Sequence, residues 1–486
     1  MKKLLSILLS AAVVLSVIAC CTTSGSARGN YGNGAPYDVS YPTKEQIIQK
    51  TKELNIDLSA ADTFASEYDT NAPYAPGKMS AESQQNVLNT LNLCRYIAGI
   101  PDDVELKDSY CEAAQAAALV NAVNRQLSHQ PKQPEGMTDE LYSLGCDGAR
   151  RANLSYGHGT TANTVVEGWM DDSGPSNIKI CGHRRWVLNP AMKYTGIGSV
   201  GGYKAMYAVD RSRDGSFGGE YIAWPAPNTP IELFSGSVFS VTLGEAYDIP
   251  SVDSVNVEVS SQTLGKSWTV NKDHPETSFN VETNSYGIPK CIIFKVADFT
   301  QDDVISVRIT GITKNGVEAP IEYTANLFTL SAVKSVPKYR VMRPYEFREL
   351  PSPIECPINS KPVIRWSSSD CSVADIYYDT SLYSFEEGVT EVTCRYGSLT
   401  SEPITVIVSN RDILLGDADG DGAVTVLDVT VIQRRLAQLS VANFREYAAD
   451  VDRDNDIGVT DATNIQRYLA HASVNESIQT PMQELP

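Results

Sequence analysis

Asp417-Ala-Asp-Gly-Asp-Gly-Ala-Val-Thr-Val-Leu-Asp428 returns thirty-three positions later as Asp450-Val-Asp-Arg-Asp-Asn-Asp-Ile-Gly-Val-Thr-Asp461. Both copies place carboxylates at loop positions 1, 3, 5 and 12: Asp417, Asp419, Asp421 and Asp428 in the first, Asp450, Asp452, Asp454 and Asp461 in the second. Position 7 is due to supply a backbone carbonyl, from Ala423 and Asp456. Position 6 is Gly422 or Asn455, the two residue types that best tolerate a left-handed turn. Carboxylates packed this densely repel one another unless a divalent ion sits among them. Two calcium ions are therefore expected as cofactors and as part of the folding free energy; a merely solvated acidic loop is the plain alternative.

Each loop runs into a short helix with the same apolar stripe, Val429, Ile432 and Leu436 after the first and Ala462, Ile465 and Leu469 after the second. No entering helix precedes Asp417. Two such half units have to pack together to cover a stripe that neither buries alone. Residues 411–475 thus resemble a dockerin, the module by which secreted bacterial proteins plug into cohesin modules of a cellulosome scaffold. The resemblance implies a cohesin partner facing Val426, Leu427, Gln433 and Arg434 from one half and Val459, Thr460, Gln466 and Arg467 from the other. Residues 476–486 read as a disordered tail.

At the other end, Lys2 and Lys3 precede an uncharged run from Leu4 to Ala19, too short for a committed membrane span, so residues 1–20 read as an export signal. Val17-Ile-Ala-Cys20 resembles a lipobox, which would anchor the chain to a membrane through a lipid on Cys20. Ordinary cleavage is the rival reading. A secreted, extracellular protein at a cellulosome or cell surface follows from either, with residues 21–42 as a flexible linker. A net charge of −19 argues against nucleic acid as a partner. Eight cysteines lie beyond the leader and linker, and in an exported protein some should pair.

More than four hundred residues are too many for one core. Residues 43–226 are mainly helical, with Leu88, Leu91 and Arg95 at helical spacing from Gln85 to Ala98 and an alanine-rich helix from Tyr110 to Leu127. From 227 to 335 the pattern alternates, as in Val304-Ile-Ser-Val-Arg-Ile, the pattern of a β-sandwich. Residues 336–410 resemble a bacterial Ig-like (BIG2-type) module with Trp366 in its core. No platform of exposed aromatics is evident there, so it reads as a spacer.

The front segment carries Leu127-Ser-His129, Ala152-Asn153-Leu154, Val166-Glu-Gly-Trp169-Met-Asp-Asp172, Gly182-His183-Arg184-Arg185-Trp186-Val-Leu-Asn-Pro190 and Gly196-Ile-Gly198. These resemble the CAP superfamily (cysteine-rich secretory, antigen 5 and pathogenesis-related 1). The fold class expected is therefore multidomain: an α-β-α sandwich (CAP), then β-sandwich modules, then a small all-α calcium-binding dockerin. The resemblance implies a cleft of two histidines and two acids. His129 and His183 match the histidines and Asp172 one acid, while Ala152 replaces the other.

Two imidazoles and one carboxylate suit zinc or a similar divalent ion with an open position. The bland readings are a helix-end role for His129, a structural hydrogen bond for His183, and a solvated face for Glu167. Arg184 and Arg185 could bind an anionic ligand or pair with Asp171 and Asp172. Ser128 adjoins His129 but points elsewhere on a helix, and no Gly-x-Ser-x-Gly occurs, so no activated nucleophile is offered. Paired carboxylates for a glycosidase are missing too.

The leading reading is a noncatalytic cellulosome-associated protein whose CAP cleft binds an unknown ligand or cation. The alternatives are a metal-assisted peptidase or hydrolase centred on His129, Asp172 and His183, a lipid or sterol binder, or an accessory protein in polysaccharide degradation.

Overall fold

The computed structural model describes residues 39–213, 217, 221–234, 238–274, 278–296, 302–360, 363–378, 380–472 and 477–485. The expected export signal, Cys20 and most of the 21–42 linker lie outside them. Among the described residues no helix is long and apolar enough to cross a membrane.

Helix α1 (Lys44–Leu54) opens with a capping box in which Gln46 N donates to Thr43 Oγ1 and Thr43 N donates to Gln46 Oε1, at 3.3 and 2.8 Å. Helices α2 (Ala81–Ile97) and α4 (Asp139–Arg151) start at Ser80 and Thr138, whose hydroxyls cap them in the ordinary way. Helix α3 spans Asp108–Asn124, three residues short of the expected Leu127, because Arg125 turns left-handed at φ 50°.

A three-stranded antiparallel sheet lies beside these helices, with Tyr203–Tyr207 between Ala152–Tyr156 and Ile197–Val200. Its two faces divide by strand alternation. Leu154, Val200 and Ala205 pack against α3 and α4. Ile197 and Met206 face the opposite core with Leu88, Leu91 and Trp169.

Small residues let α3 sit in the middle. A side chain at Gly148 would overlap the Ala113 carbonyl, and one at Gly196 or Gly198 would overlap the α3 backbone at Tyr110 or Gln115. The alanines of α3 meet glycines on both sides, which gives layers closer than larger side chains allow.

The next unit pairs a four-stranded sheet (Ser278–Glu282, Cys291–Lys295, Phe239–Leu243, Tyr221–Trp224) with a five-stranded one (Lys266–Val270, Asn256–Ser261, Val304–Thr310, Ile321–Phe328, Asn228–Pro230). Tyr221–Trp224 is hydrogen-bonded to Phe239–Leu243, so the expected boundary at 226 falls after the first strand of this unit. In Val304–Thr310 the alternation is as expected, with Ile305, Val307 and Ile309 buried.

Residues 336–410 form two further sheets, with Trp366 buried between strands as expected. The aromatic residues that look scattered along this segment do not stay scattered: three strands bring Phe347, Tyr377, Tyr383 and Phe385 into one cluster on the surface.

The C-terminal unit packs helices Val426–Leu436 and Val459–Leu469 around Leu415, Val429, Ile432, Ala462 and Ile465. The expectation of a disordered tail fails. Leu415 N donates to Thr480 O at 3.0 Å and Met482 N to Ile413 O at 2.7 Å, while Ile478 and Gln483 are buried. The unit has few core side chains of its own, and the tail's apolar residues complete it.

The expected cysteine pairing is also absent. All eight cysteines among the described residues are free thiols, seven of them buried. Burial pushes Cys94 and Cys181 up to about 12, which leaves them inert as thiolates.

Candidate functional site

In the front domain, His129 sits in a bend beyond α3. The bend is fixed by Asn121, fully buried, whose side-chain oxygen accepts from Ser128 N at 2.6 Å. His129 Nδ1 lies 2.7 Å from the carbonyl of Ala149, in the last turn of α4 where carbonyls lack intrahelical partners. A carbonyl only accepts, so Nδ1 carries the proton and Nε2 keeps its lone pair. The bland helix-end reading is thus half right: the histidine serves a helix C-terminus, but of α4 rather than α3. The ring keeps an exposed surface, yet surrounding protein removes enough water to lower its pKa, and the charge of nearby His183 lowers it further.

His183 is positioned by Asp172. A π-helical turn, Val165–Met170, closes with Asp171 N on Val166 O at 2.9 Å and leads into Asp172 at φ 50°. The Asp172 carboxylate is 2 % exposed; Oδ2 accepts from the backbone N–H of His183 and Arg184 at 2.9 and 3.3 Å. Its Oδ1 is 2.9 Å from His183 Nδ1. One carboxylate therefore satisfies the first donors of helix Gly182–Val187 and fixes the ring with Nε2 free, the role of an orienting acid rather than a cleft ligand. Asn153 holds the same segment, donating to His183 O at 2.9 Å.

His183 lies near enough for its charge to act on His129, and Asp172 joins them through the His183 ring rather than as an open carboxylate. Ala152 is buried with Ala149, Leu154 and Ala205 and offers no oxygen. Among the described residues, three His, Cys, Asp or Glu ligand atoms converge within 4.8 Å in two places, Asp417 with Asp419 and Asp421, and Asp450 with Asp452 and Asp454. The cleft is not one of them, and nothing in it supports the zinc expected there. Glu167 is exposed and takes a hydrogen bond from Asn163 Nδ2 at 2.8 Å, in keeping with a solvated face.

Arg184 and Arg185 do neither of the things the sequence left open. Both are buried, at 1 % and 3 %. Arg184 donates to the carbonyls of Met170, Asp171 and Val238 and to Ser240 Oγ, at 2.6, 2.7, 2.8 and 3.1 Å. Arg185 donates to Asn284 O and Ile288 O at 2.5 and 2.7 Å and lies over the Tyr286 ring. These guanidiniums fasten the front domain to the β-sandwich behind it.

In each acidic loop the carboxylates at positions 1, 3 and 5 converge. Asp417 and Asp428 are nearly fully buried, as are Asp450 and Asp461. Asp417 accepts from Gly420 N and Gly422 N at 2.9 and 3.1 Å, and Asp450 from Asp454 N and Asn455 N at 3.2 and 3.0 Å. Position-12 carboxylates reach back to the loop, Asp428 to Thr425 N and Asp461 to Gly458 N. Burial raises Asp428 and Asp461 and pushes Asp450 up to about 6, the cost a divalent cation removes. Ala423 and Asp456 occupy position 7 in each loop.

Sequence reading missed two loop partners. Arg445 Nη1 is 3.1 Å from Asp417 Oδ2. Asn455 spends its side chain on the preceding module, donating to Val336 O and Ser335 Oγ and accepting from Lys338 N. The only available signal was Asn455 itself, standing where glycine is usual. Val426, Leu427, Gln433 and Arg434, and Val459, Thr460, Gln466 and Arg467, are all exposed, with Val426, Leu427 and Val459 at 64 %, 55 % and 73 %.

A family model described as the cysteine-rich secretory protein family (CAP) matches residues 88–209, and one described as the dockerin type I domain matches residues 415–470. The chain therefore contains a CAP domain and a dockerin-like domain, separated by a β-rich region, and the two acidic clusters lie in the latter. No curated protein matches the chain. Among solved structures, the N-terminal part of the bacterial S-layer protein SbsC is similar at 12 % identity, over 36 % of this chain and 42 % of that one, with a TM-score of 0.15. Tandem Ig repeats of Dlar match at 16 % identity over 38 % and 93 %, TM-score 0.15, and titin domains I67–I69 at 10 % over 39 % and 60 %, TM-score 0.15. The chain spans less than half of the SbsC fragment, and likenesses at these TM-scores carry no argument.

Proposed function

We propose that this is an exported protein that seats itself in a cohesin module of a cellulosomal scaffold through its dockerin-like end, folded around two calcium ions. The observation that carries this is the pair of convergent acidic clusters, each anchored on one buried aspartate and leading into a helix whose first turn exposes apolar side chains. An exposed Val-Leu or Val-Thr pair at a helix start, repeated by internal symmetry, is a docking patch rather than a core element. The BIG2-type module and the sandwich then hold the CAP domain outward. The CAP cleft offers two imidazole Nε2 atoms, one of them on a ring oriented by Asp172, and no second carboxylate; binding of a ligand or cation there is the leading reading, with metal-assisted hydrolysis its alternative.

The test is calorimetric titration of the full chain lacking residues 1–20 against isolated type I cohesin modules, with calcium and with chelator. Stoichiometric binding in calcium only is expected. Substituting Val426 and Leu427 by Asp, or Val459 and Thr460 by Asp, should leave one working half, and all four substitutions together should abolish binding. Undiminished binding by the fourfold variant would sink the docking assignment.

A further inference from the structure

The second sheet of the Ig-like module consists of Phe347–Glu349, Ser381–Ser384 and Ala374–Tyr377. Its register pairs Phe347 with Tyr383 and Tyr383 with Asp375, and Glu349 with Ser381 and Ser381 with Tyr377. Leu382, Ser384 and Ala374, at the alternate positions, are fully buried. The rings of Phe347, Tyr377 and Tyr383 therefore stand on the outer face together with Glu349, and Phe385 extends the row by the same period of two.

The four rings are contiguous. Centroids are 4.4 Å apart for Phe347 and Tyr383, 4.9 Å for Tyr383 and Phe385, and 6.0 Å for Phe347 and Tyr377. Phe347 and Tyr377 remain 54 % and 41 % exposed with every described domain in place; the dockerin-like unit packs on Val341 and Ile407 of the other sheet and meets this one at Arg348, which donates to Gln483 O at 2.6 Å from the alternate strand position. A connected aromatic patch left open on a folded chain marks a binding surface.

Its chemistry narrows the partner. Ring faces attract C–H bonds through their quadrupole, while phenolic hydroxyls and the Glu349 carboxylate exchange hydrogen bonds with hydroxyl groups. Glu349 shares the outer face and exposed Glu386 and Glu387 follow Phe385 along the chain, so with a net charge of −19 the face disfavours anionic polymers and anionic membranes. Neighbouring rings are tilted by 42° to 89°, so they make no plane on which a crystalline surface can lie. We infer that this face binds a single chain of a neutral polysaccharide, its sugar rings stacking on Phe347, Tyr377 and Tyr383. The module is then a binding domain rather than only a spacer.

Affinity electrophoresis of the chain lacking residues 1–20, in calcium, tests this with gels containing hydroxyethylcellulose, xylan or galactomannan, and with polygalacturonate as the anionic comparison. Retardation by at least one neutral polymer is expected, weakened at least tenfold in the Phe347→Ala/Tyr377→Ala double variant, while Trp268→Ala in the sandwich migrates like the parent. Near-UV circular dichroism monitors the fold; should the double variant lose its signal, Tyr377→Ser alone is expected to weaken retardation about threefold. No retardation by any neutral polymer, retardation indifferent to ring removal, or equal retardation by polygalacturonate overturns the inference. A ring-dependent dimer by light scattering overturns it too, since a second copy would then be the occupant.

Discussion

Replacing Arg184 by alanine separates a ligand-binding role from a structural one. The side chain gives four hydrogen bonds, three of them to carbonyls of Met170, Asp171 and Val238, in a site 1 % exposed. Stranding a buried acceptor costs about 1–3 kcal/mol. Water can refill part of the space, and the guanidinium's own desolvation cost is recovered, so the net loss is on the order of 3–6 kcal/mol. For a cooperative unit of the size of the CAP domain and sandwich together, this lowers Tm by roughly 2 °C per kcal/mol, about 6–12 °C in all. Differential scanning calorimetry of the full chain should show that shift in the front transition alone, with the calcium-dependent transition unmoved. Arg184→Lys, with a single ammonium in place of the fork, should fall between. A change below about 2 °C would refute the joint and return Arg184 to the ligand-binding reading.

Three further outcomes follow from the same geometry. His129, its pKa lowered chiefly by burial and then by His183, should titrate by NMR below the usual histidine value of about 6.5 and move up toward it in His183→Gln. Because the unfolded chain then takes up the proton first, the front transition loses stability as pH falls from about 7 through 6.5 and levels off below the folded pKa; His129→Gln should remove that slope. Chelating calcium should unfold the dockerin-like unit and leave the CAP transition in place, and calcium at about a thousand times its dissociation constant should restore roughly 4 kcal/mol per site, read by circular dichroism of the helices. Deleting residues 477–486 uncovers Ile413 and Leu415 and removes Ile478 from the core, so a loss of about 2–4 kcal/mol in the dockerin-like unit is expected in urea unfolding, where a dispensable tail would give none.

The calcium loops, the helices behind them, the alternating strands and the CAP motif were legible in sequence because each depends on spacing within a dozen residues. Ligand positions in a loop are set by local backbone geometry, and Asp417 to Asp428 fixes its own site. The run of alanines in α3 is equally local, whereas the glycines it meets, Gly148, Gly196 and Gly198, lie far along the chain and only the fold brings them against it. What the chain order does not contain is which side of a fold a group ends on. Asp172 matches a cleft acid in the motif, yet φ 50° and the start of helix Gly182–Val187 turn its carboxylate inward to hold His183. Arg184 and Arg185 look like surface cations beside a histidine, and only packing of the β-sandwich against that helix buries them on its carbonyls. Phe347, Tyr377, Tyr383 and Phe385 are spread over nearly forty positions, and strand pairing alone joins them. Local chemistry determined the modules and the calcium sites; contacts between distant segments decided the joint, the closed C-terminal tail and the aromatic face, because burial and hydrogen-bond satisfaction are settled by neighbours that sequence order does not name.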